Sequence, residues 1–253
     1  MLGSMKQTAA ALTLSNLLYL AEKAPDDSER RDFMRYAAGL MREKYKHIIF
    51  DLDGTLIDTE KAVLKTWRQT LSEYGHTYSL RELRPVLGIT TEAALKKLDV
   101  NAADDFEARW MEVYSQFADE ADFFSGIAEM LLSLKASGYF LGIVTSRCRN
   151  ELKRYFAKFH LNRFFDFIIC ADDTKLHKPQ PDPLYRYTHI AGTEVSSCLY
   201  IGDMPTDMEC ADSASMSSGM AGWNPSVMFC TEADYIFHSP EDITEMFTDS
   251  RHS

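Results

Sequence analysis

The stretch of sequence that decides the fold is HIIFDLDGTLIDTE, residues 47–60. A short, largely apolar run over 47–50 leads directly into Asp51 and Asp53, and a glycine and a threonine then turn the chain. Two carboxylates on alternate positions at the end of a buried strand repel each other unless a positive group lies between them. The pattern therefore predicts a buried strand that delivers two aspartates to a site containing a cation.

Further short apolar runs follow along the chain, with helical segments between them. They are FLGIV (140–144), FDFII (165–169) and CLYI (198–201), with plausible last strands around 218–223 and at 233–237. Continuous apolar runs are typical of parallel strands that are buried on both faces. The alternation of strand and helix predicts an α/β fold with a mostly parallel sheet.

Residues 61–121 break this alternation, because they contain no convincing strand and carry helical patterns instead. One stripe, formed by Phe106, Trp110, Val113 and Phe117, repeats at helical spacing and is interpreted as core packing. A helical module is thus inserted directly after the first strand, where it is well placed to act as a lid. The predicted organisation is an N-terminal helical extension over 1–45, a core formed by 46–60 and 122–253, and a helical cap over 61–121.

Residues 5–44 predict two helices, separated by a break and a new N-cap within APDDS, residues 24–28. Residues 1–4 resemble the remnant of an expression tag. The first helix is interpreted as a packing helix, with a cleaved signal peptide as the alternative, and no run is apolar enough to predict a membrane span. The extension could pack on the core, mediate self-association or bind a protein partner, and the sequence leaves these three roles open.

The composition limits the class of partner and the compartment. Among 253 residues 45% are hydrophobic and the formal net charge is −11, a balance that argues against nucleic acid and against an anionic membrane. An anionic substrate would need local positive charge, which a metal ion could supply. The five cysteines form no CxxC pair, so we expect reduced thiols and a cytoplasmic protein.

Polar side chains follow several strands at their carboxyl ends, where open parallel sheets bind their ligands. Thr145 and Ser146 follow the second strand, Lys178 comes after the third, and Asp203 and Asp207 follow the fourth. We expect these side chains to meet the two aspartates of the first strand at one edge of the sheet. Carboxylate oxygens are hard ligands, and the cluster predicts a Mg²⁺ site.

This order of motifs resembles that of the haloacid dehalogenase-like hydrolases. The matching features are DLDGT (51–55), a hydroxyl residue ending a second strand, a lysine before a proline, and GDMPTD (202–207). The sequence is most similar to the phosphoglycolate phosphatase and β-phosphoglucomutase branch, over about 46–60 and 122–253. The resemblance implies a Rossmann-like parallel sheet with an inserted helical cap.

Catalytic roles are implied by the same resemblance. Asp51 would be the nucleophile that forms an aspartyl-phosphate, and Asp53 would protonate the leaving oxygen and then activate water. Thr145, with Ser146 nearby, would hydrogen-bond the phosphoryl oxygens, and Lys178 would balance the charge of the nucleophile and the phosphoryl group.

The implied metal ligands are four aspartates, of which one contributes its backbone carbonyl. Mg²⁺ would be held by Asp51, Asp53, Asp203 and Asp207, with Asp53 using that carbonyl and Asp207 binding directly or through water.

Other residues are expected to help at the phosphate or in the cap. Gly54 would allow the tight turn beside the phosphate, and Thr55 would bind there and help to orient Asp53. Arg84 of the cap could reach a substrate anion, near LGITTE (87–92), where related caps place a specificity loop. Arg147 is expected to be an ordinary surface arginine.

The function predicted first is a Mg²⁺-dependent phosphatase that acts on a small phosphorylated metabolite. The second aspartate of DLDGT argues against dehalogenation and against phosphonate cleavage, whose branches lack an aspartate at that place.

Two alternatives stay open. A sugar phosphomutase would carry a cap histidine where this chain has Val63, and a glutamate where it has Gly202. A non-catalytic phosphate-binding or scaffold protein would normally have lost one of the two DLDGT aspartates, and neither is lost. Receiver domains group similar residues, but they are about half as long and have no helical insert after the first strand.

Overall fold

The computed structural model describes residues 17, 19–21, 23–101, 104–225 and 232–248. Its strands are β1 (His47–Phe50), β2 (Ile57–Asp58), β3 (Asp122–Phe123), β4 (Phe140–Val144), β5 (Phe167–Ile169), β6 (Cys198–Gly202), β7 (Ser217–Ala221) and β8 (Tyr235–Phe237). Its helices are α1 (Asp27–Lys44), α2 (Glu60–Glu73), α3 (Leu80–Leu83), α4 (Thr91–Lys97), α5 (Phe106–Tyr114), α6 (Ile127–Ala136), α7 (Arg149–Tyr155), α8 (Asp182–Ala191), α9 (Pro205–Ser213) and α10 (Pro240–Phe247).

Six of the strands form one parallel sheet in the order β5-β4-β1-β6-β7-β8. β1 lies between β4 and β6, so that Phe50 pairs with Ile143 on one side and with Ile201 on the other. Every residue of β1 is buried, as expected for a central strand with a layer on each face. The predicted α/β fold with a parallel sheet is confirmed.

The two faces of β1 pack against different helices because successive side chains point to opposite faces of a strand. Ile48 and Phe50 belong to a core that includes side chains of α1, α6 and α10. Ile49 points the other way, into a cluster with side chains of α8 and α9. The strand therefore ends at the sheet edge with Asp51 held between two packed layers.

The strand predictions differ from the structure only at a few ends. β1 and β4 have the predicted bounds, β6 is one residue longer, and β5 begins at Phe167 rather than at 165. At this end the N–H of Asp166 still donates to the carbonyl of Leu141 at 2.8 Å, whereas the N–H of Leu141 donates to the carboxylate of Asp166 at 2.9 Å instead of to a backbone carbonyl.

Residues 61–121, hereafter the cap segment, contain helices and no strand among the residues that the structure describes there. Trp67 packs on Phe106 and on Trp110, with ring centroids 5.7 and 6.0 Å apart. The expected stripe is buried at Phe106, Trp110 and Val113, but α5 ends at Tyr114, before Phe117. β2 and β3, which the sequence pattern did not reveal, pair antiparallel where the chain enters and leaves the cap segment. The domain boundaries given above stay predictions.

The second predicted N-terminal helix is α1, whereas most of the first lies outside the described residues. Asp26 caps α1 by accepting hydrogen bonds from the N–H groups of Ser28 and Glu29 at 2.8 and 2.9 Å. α1 packs against α10, and Arg42 donates to the carbonyl of Thr248 at 3.2 Å. This helix therefore packs on the core, while self-association and a protein partner stay predictions.

Two further expectations concern the membrane and the thiols. Across the part of the chain that the structure describes, no helix combines the length and the apolar character that a membrane crossing needs. The four cysteines within that part are free thiols. The fifth, Cys230, lies outside the described residues.

Candidate active site

Lys178 links two carboxylates at the carboxyl edge of the sheet. Its Nζ donates hydrogen bonds to Oδ1 of Asp51 and to Oδ1 of Asp207, both at 2.7 Å, and to the hydroxyl of Tyr200 at 3.2 Å. All four side chains are buried. Burial alone would lower the pKa of Lys178, but the charges of Asp207 and Asp51 outweigh it and hold the pKa above its ordinary value. The ammonium therefore stays charged between its two partners.

The carboxylates of Asp51, Asp203 and Asp207 form the candidate metal centre. One oxygen from each lies within 4.8 Å of the others, and each residue is at most 5% exposed. Burial raises the pKa of Asp51 to about 7 despite the opposing charge of Lys178. Burial and the charges of Asp207 and Asp51 raise the pKa of Asp203 well above its ordinary value.

Burial is the largest cause of both raised pKa values, and repulsion adds to it because a single lysine faces three buried carboxylates. A hard divalent cation would remove the remaining repulsion, and a set of carboxylate oxygens is the donor set that Mg²⁺ prefers. The residues present therefore fit the metal that the sequence predicts.

The backbone of Gly54 lies close to the carboxylate of Asp203, and a side chain at position 54 would displace that carboxylate. Gly54 has a φ of +82°, and a Cβ there would lie 2.3 Å from Oδ2 of Asp203. Asp203 is held from two sides, since Thr55 Oγ1 donates to its Oδ1 at 3.2 Å and Asn224 Nδ2 donates to its Oδ2 at 3.0 Å. The expectation that Thr55 orients Asp53 is wrong, because its hydroxyl is already bonded to Asp203.

Asp53 is oriented by Thr59 and Arg147 instead. Thr59, at the start of α2, donates from Oγ1 to Oδ1 of Asp53 at 2.6 Å. Arg147 donates from Nη2 to Oδ1 at 2.8 Å and from Nε to Oδ2 at 3.0 Å. Burial would raise the pKa of Asp53, but the Arg147 guanidinium outweighs burial, and the net pKa is lowered.

The expectation of a surface role for Arg147 is also wrong, since Arg147 is only 8% exposed. Its Nη1 donates to Oε1 of Glu151 at 2.9 Å. Its guanidinium lies 4.9 Å from the ring centroid of Tyr114, 5.4 Å from that of Phe156 and 5.5 Å from that of Trp110. Contacts of this kind are attractive because the face of an aromatic ring is negative. A core residue, Arg147, thus connects Asp53 to two aromatic rings of the cap segment.

A cleft of about 320 Å³ lies between the core edge and the cap segment. Its lining includes the predicted site residues Asp51, Asp53, Gly54, Thr145, Ser146, Lys178, Asp203 and Asp207. All six residues of the expected specificity loop, 87–92, line it from above. Within that loop Gly88 touches the core, since a Cβ there would lie 3.0 Å from Cγ of Met204.

Two predicted residues, Thr55 and Arg84, are not among those that line the cleft. Thr55 is fully buried behind Asp203. Arg84 is about half exposed, and its Nη2 pairs with Oε1 of Glu60 at 2.7 Å. A contact between Arg84 and substrate stays a prediction. Thr145 accepts a hydrogen bond at Oγ1 from the N–H of Arg147 at 3.1 Å, which turns the strand end toward the cleft.

The sequence interpretation missed Thr59, Arg147, Tyr200 and Asn224. Only Thr59 gave a local signal, because a threonine directly before a helix is a common N-cap. Here the hydroxyl of Thr59 donates to Asp53 and does not cap α2, whose first N–H donates to the carboxylate of Asp58 at 3.3 Å instead. The other three act through contacts with residues distant in sequence, which no local pattern reports.

The chain is similar to known proteins in sequence and in fold. Pyrophosphatase PpaX of Bacillus cereus (strain AH820) is 25% identical over 215 residues, which cover 83% of this chain and all of that protein. A solved structure from Lactobacillus plantarum, provisionally named a phosphoglycolate phosphatase, is 30% identical with a TM-score of 0.73. The match covers 81% of this chain and all of that one.

A more distant structure shares the fold. CbbY from Rhodobacter sphaeroides, solved in complex with phosphate, is 20% identical with a TM-score of 0.67, over 78% of this chain and 95% of that one. The sequence profile of the haloacid dehalogenase-like hydrolases matches residues 48–221, which contain every aspartate of the candidate metal centre. The chain belongs to the haloacid dehalogenase-like hydrolase family and is a hydrolase of its phosphoglycolate phosphatase-like branch.

Proposed function

We propose that this protein is a Mg²⁺-dependent phosphatase that hydrolyses a small phosphorylated metabolite through an aspartyl-phosphate on Asp51. The observation that carries the proposal is the bridge formed by Lys178, which holds Asp51 and Asp207 at 2.7 Å each beside Asp203. A phosphoryl dianion can approach a carboxylate only where positive charge offsets the repulsion. The cleft volume of about 320 Å³ suits a small molecule.

The metal would be held by the carboxylates of Asp51, Asp203 and Asp207. When bound, Mg²⁺ supplies positive charge that lets the phosphoryl group and the nucleophilic carboxylate come together. Thr55 and Asn224 fix the orientation of Asp203 before any ligand arrives. We also propose that the backbone carbonyl of Asp53 is a ligand of the metal.

In the first step, a carboxylate oxygen of Asp51 forms a bond to phosphorus while the bond from phosphorus to the ester oxygen breaks. Asp53 gives a proton to the departing oxygen, so that an alcohol leaves. Thr145 and Ser146 line the cleft beside Asp51 and would hydrogen-bond the phosphoryl oxygens. Lys178 keeps its proton throughout, because two carboxylates flank it.

In the second step, Asp53 takes a proton from a water molecule that attacks phosphorus, and the bond to Asp51 breaks to release phosphate. The ion pair with Arg147 favours the ionised form of Asp53, which is the form that accepts this proton. A bound dianion has the opposite effect, since its charge favours the protonated form that the first step requires.

A phosphomutase finds less support in the same cleft. Val63, where that branch carries a histidine, lines the cleft with a side chain that cannot carry a proton. A side chain at position 202 would meet Asp207, since a Cβ on Gly202 would lie 2.4 Å from Cγ of Asp207. No observation favours a scaffold without catalysis.

Release of phosphate from phenyl phosphate tests the proposal. The native protein and Asp51→Asn are assayed with Mg²⁺ and with EDTA. We expect turnover that requires Mg²⁺ and is lost in the variant, which removes the nucleophile while preserving its shape. Equal turnover by the native protein and Asp51→Asn would overturn the proposal.

A further inference from the structure

The cap side of the cleft is lined by carboxylates and apolar side chains. Glu92 and Glu107 of the cap segment contribute carboxylates to this wall, together with Glu60, which directly precedes that segment. Glu60 is already paired with Arg84, which is not among the residues that line the cleft. Glu92 and Glu107 are exposed, and neither forms an ion pair with a described residue within the cleft.

The lysine and arginine side chains that line the cleft, within the part of the chain that the structure describes, belong to the core side. Among the described residues that line it, Arg147 and Lys178 are the only lysine or arginine side chains. Lys178 lies between Asp51 and Asp207, as described above. Arg147 lies between Asp53 and Glu151. The imidazole of His177 also lines the cleft from the core side.

The charges of the lining residues do not balance. Eight carboxylates face two lysine or arginine side chains among the described lining residues. One divalent cation leaves this total negative, and the phosphoryl group that binds beside it adds more negative charge. A second anionic group on the substrate would therefore meet carboxylates on the cap side, where no lysine or arginine is among the described lining residues.

The apolar part of the wall offers contacts that need no charge on the ligand. Ile89 and Met111 line it together with Trp110, which is 5% exposed. The indole N–H of Trp110 is buried and finds no acceptor among the described residues. An apolar stem fits such a wall, and a cation at its end would be attracted by the carboxylates beside it.

From these observations we infer that the leaving group of the substrate carries no negative charge, and that an alcohol bearing an ammonium group is preferred. The inference rests on the proposed phosphatase function and names its substrate class. It separates this chain from relatives named pyrophosphatase and phosphoglycolate phosphatase, because phosphate and glycolate are anionic leaving groups.

Three aryl phosphates test the inference with matched leaving groups. They carry an aminomethyl, a methyl or a carboxymethyl group in the para position, so that only the distal charge changes substantially. With Mg²⁺ at low ionic strength, we expect kcat/KM for the carboxymethyl ester to be at least about tenfold below that of the methyl ester. The aminomethyl ester should equal or exceed the methyl ester.

The ratio of kcat/KM values should respond to charge reversal in the cap. We expect Glu107→Lys to raise the carboxymethyl-to-methyl ratio about tenfold. Glu112→Lys, on the same helix but outside the cleft lining, is the matched control and should leave the ratio unchanged. Added salt should reduce the discrimination of the native protein, because exposed charges are screened.

The outcomes separate the two claims. Absence of Mg²⁺-dependent hydrolysis of the methyl ester would overturn the proposed function, and this inference with it. Hydrolysis of the methyl ester together with equal or faster hydrolysis of the carboxymethyl ester would overturn the inference alone. An unchanged ratio in Glu107→Lys would also contradict it.

Discussion

Arg147 donates a hydrogen bond to each carboxylate oxygen of Asp53, from Nη2 to Oδ1 at 2.8 Å and from Nε to Oδ2 at 3.0 Å. A planar guanidinium that donates two parallel hydrogen bonds fixes the plane of the carboxylate as well as its charge. Because the same guanidinium packs on Tyr114 and Trp110, the orientation of Asp53 depends on the position of the cap segment. Arg147 is thus a positioning residue for the proposed acid–base group.

Replacing Arg147 by methionine should lower kcat on phenyl phosphate by about 100-fold, the size of a lost acid–base contribution. Esters with better leaving groups need less proton donation, so 4-nitrophenyl phosphate should lose less activity. The measurement is kcat for both esters. A purely structural role would lower both values equally, and that result would contradict the assignment.

Arg149→Met provides the matched control for this variant. Arg149 lies two positions further along the chain, is exposed and pairs with Asp173 outside the cleft lining. We expect its kinetics to stay native. Arg147→Met should also be less stable by about 3–5 kcal/mol, since it leaves two carboxylates without their partner, and denaturant unfolding checks that the variant is folded in the assay.

Alanine at Gly54 should abolish high-affinity Mg²⁺ binding, because the new Cβ would displace the carboxylate of Asp203. Gly75→Ala is the control, since Gly75 has a similar φ of +85° and nothing within 4 Å of the added Cβ. Both variants should lose about 1 kcal/mol of stability for the left-handed backbone. Calorimetric titration with Mg²⁺ then separates them, and native affinity in Gly54→Ala would refute the assigned role of Asp203.

Binding of Mg²⁺ should release protons and strengthen as pH rises through about 7, the raised pKa of Asp51. Below that pH the folded carboxyl holds a proton that the metal must displace. Between pH 3.8, the ordinary pKa, and about pH 7, the folded metal-free protein binds one proton more at Asp51 than the unfolded chain does. The free energy of unfolding of the metal-free protein should therefore fall as pH rises through this window. Titrations in two buffers of different ionisation enthalpy measure the release. An affinity independent of pH between about 6 and 8 would contradict this account.

The hydroxyl of Tyr200 supports the lysine bridge, since it lies 2.9 Å from Oδ1 of Asp207 and 3.2 Å from Nζ of Lys178. Tyr200→Phe should cost about 1 kcal/mol of stability and reduce kcat about tenfold or less. Tyr187→Phe is matched to it, because that buried hydroxyl bonds His47 at 3.1 Å away from the cleft. Equal kcat values in the two variants would argue against a role for Tyr200 in the site.

The strand ends of the site could be predicted from sequence because apolar runs locate strands, and parallel strands share one carboxyl edge. Asp51 and Asp203 follow from that rule alone, whereas Lys178, in a loop that also contains Lys175, was selected by the lysine–proline match to the family. The partners of Arg147 could not be predicted, because a long side chain can extend into solvent or fold inward. Its direction depends on aromatic rings of the cap segment that lie tens of positions away in the chain.

The sequence pattern also could not predict which of two nearby threonine hydroxyls bonds to Asp53. Thr55 and Thr59 both lie a few residues from Asp53, and only the turn at Gly54 directs the first toward Asp203 and leaves Asp53 to the second. Asn224 enters the site from the loop after β7, which carries no motif of its own. Such contacts depend on tertiary packing rather than on local spacing.

The central claim is that Asp51 becomes covalently phosphorylated. The most direct test is acid quenching of the native protein during turnover of phenyl phosphate with Mg²⁺, followed by peptide mass analysis. The account predicts a phosphoryl adduct on the peptide containing Asp51, which borohydride converts to homoserine at that position. Rapid turnover with no adduct at Asp51 under any quench time, or an adduct on another residue, would contradict it.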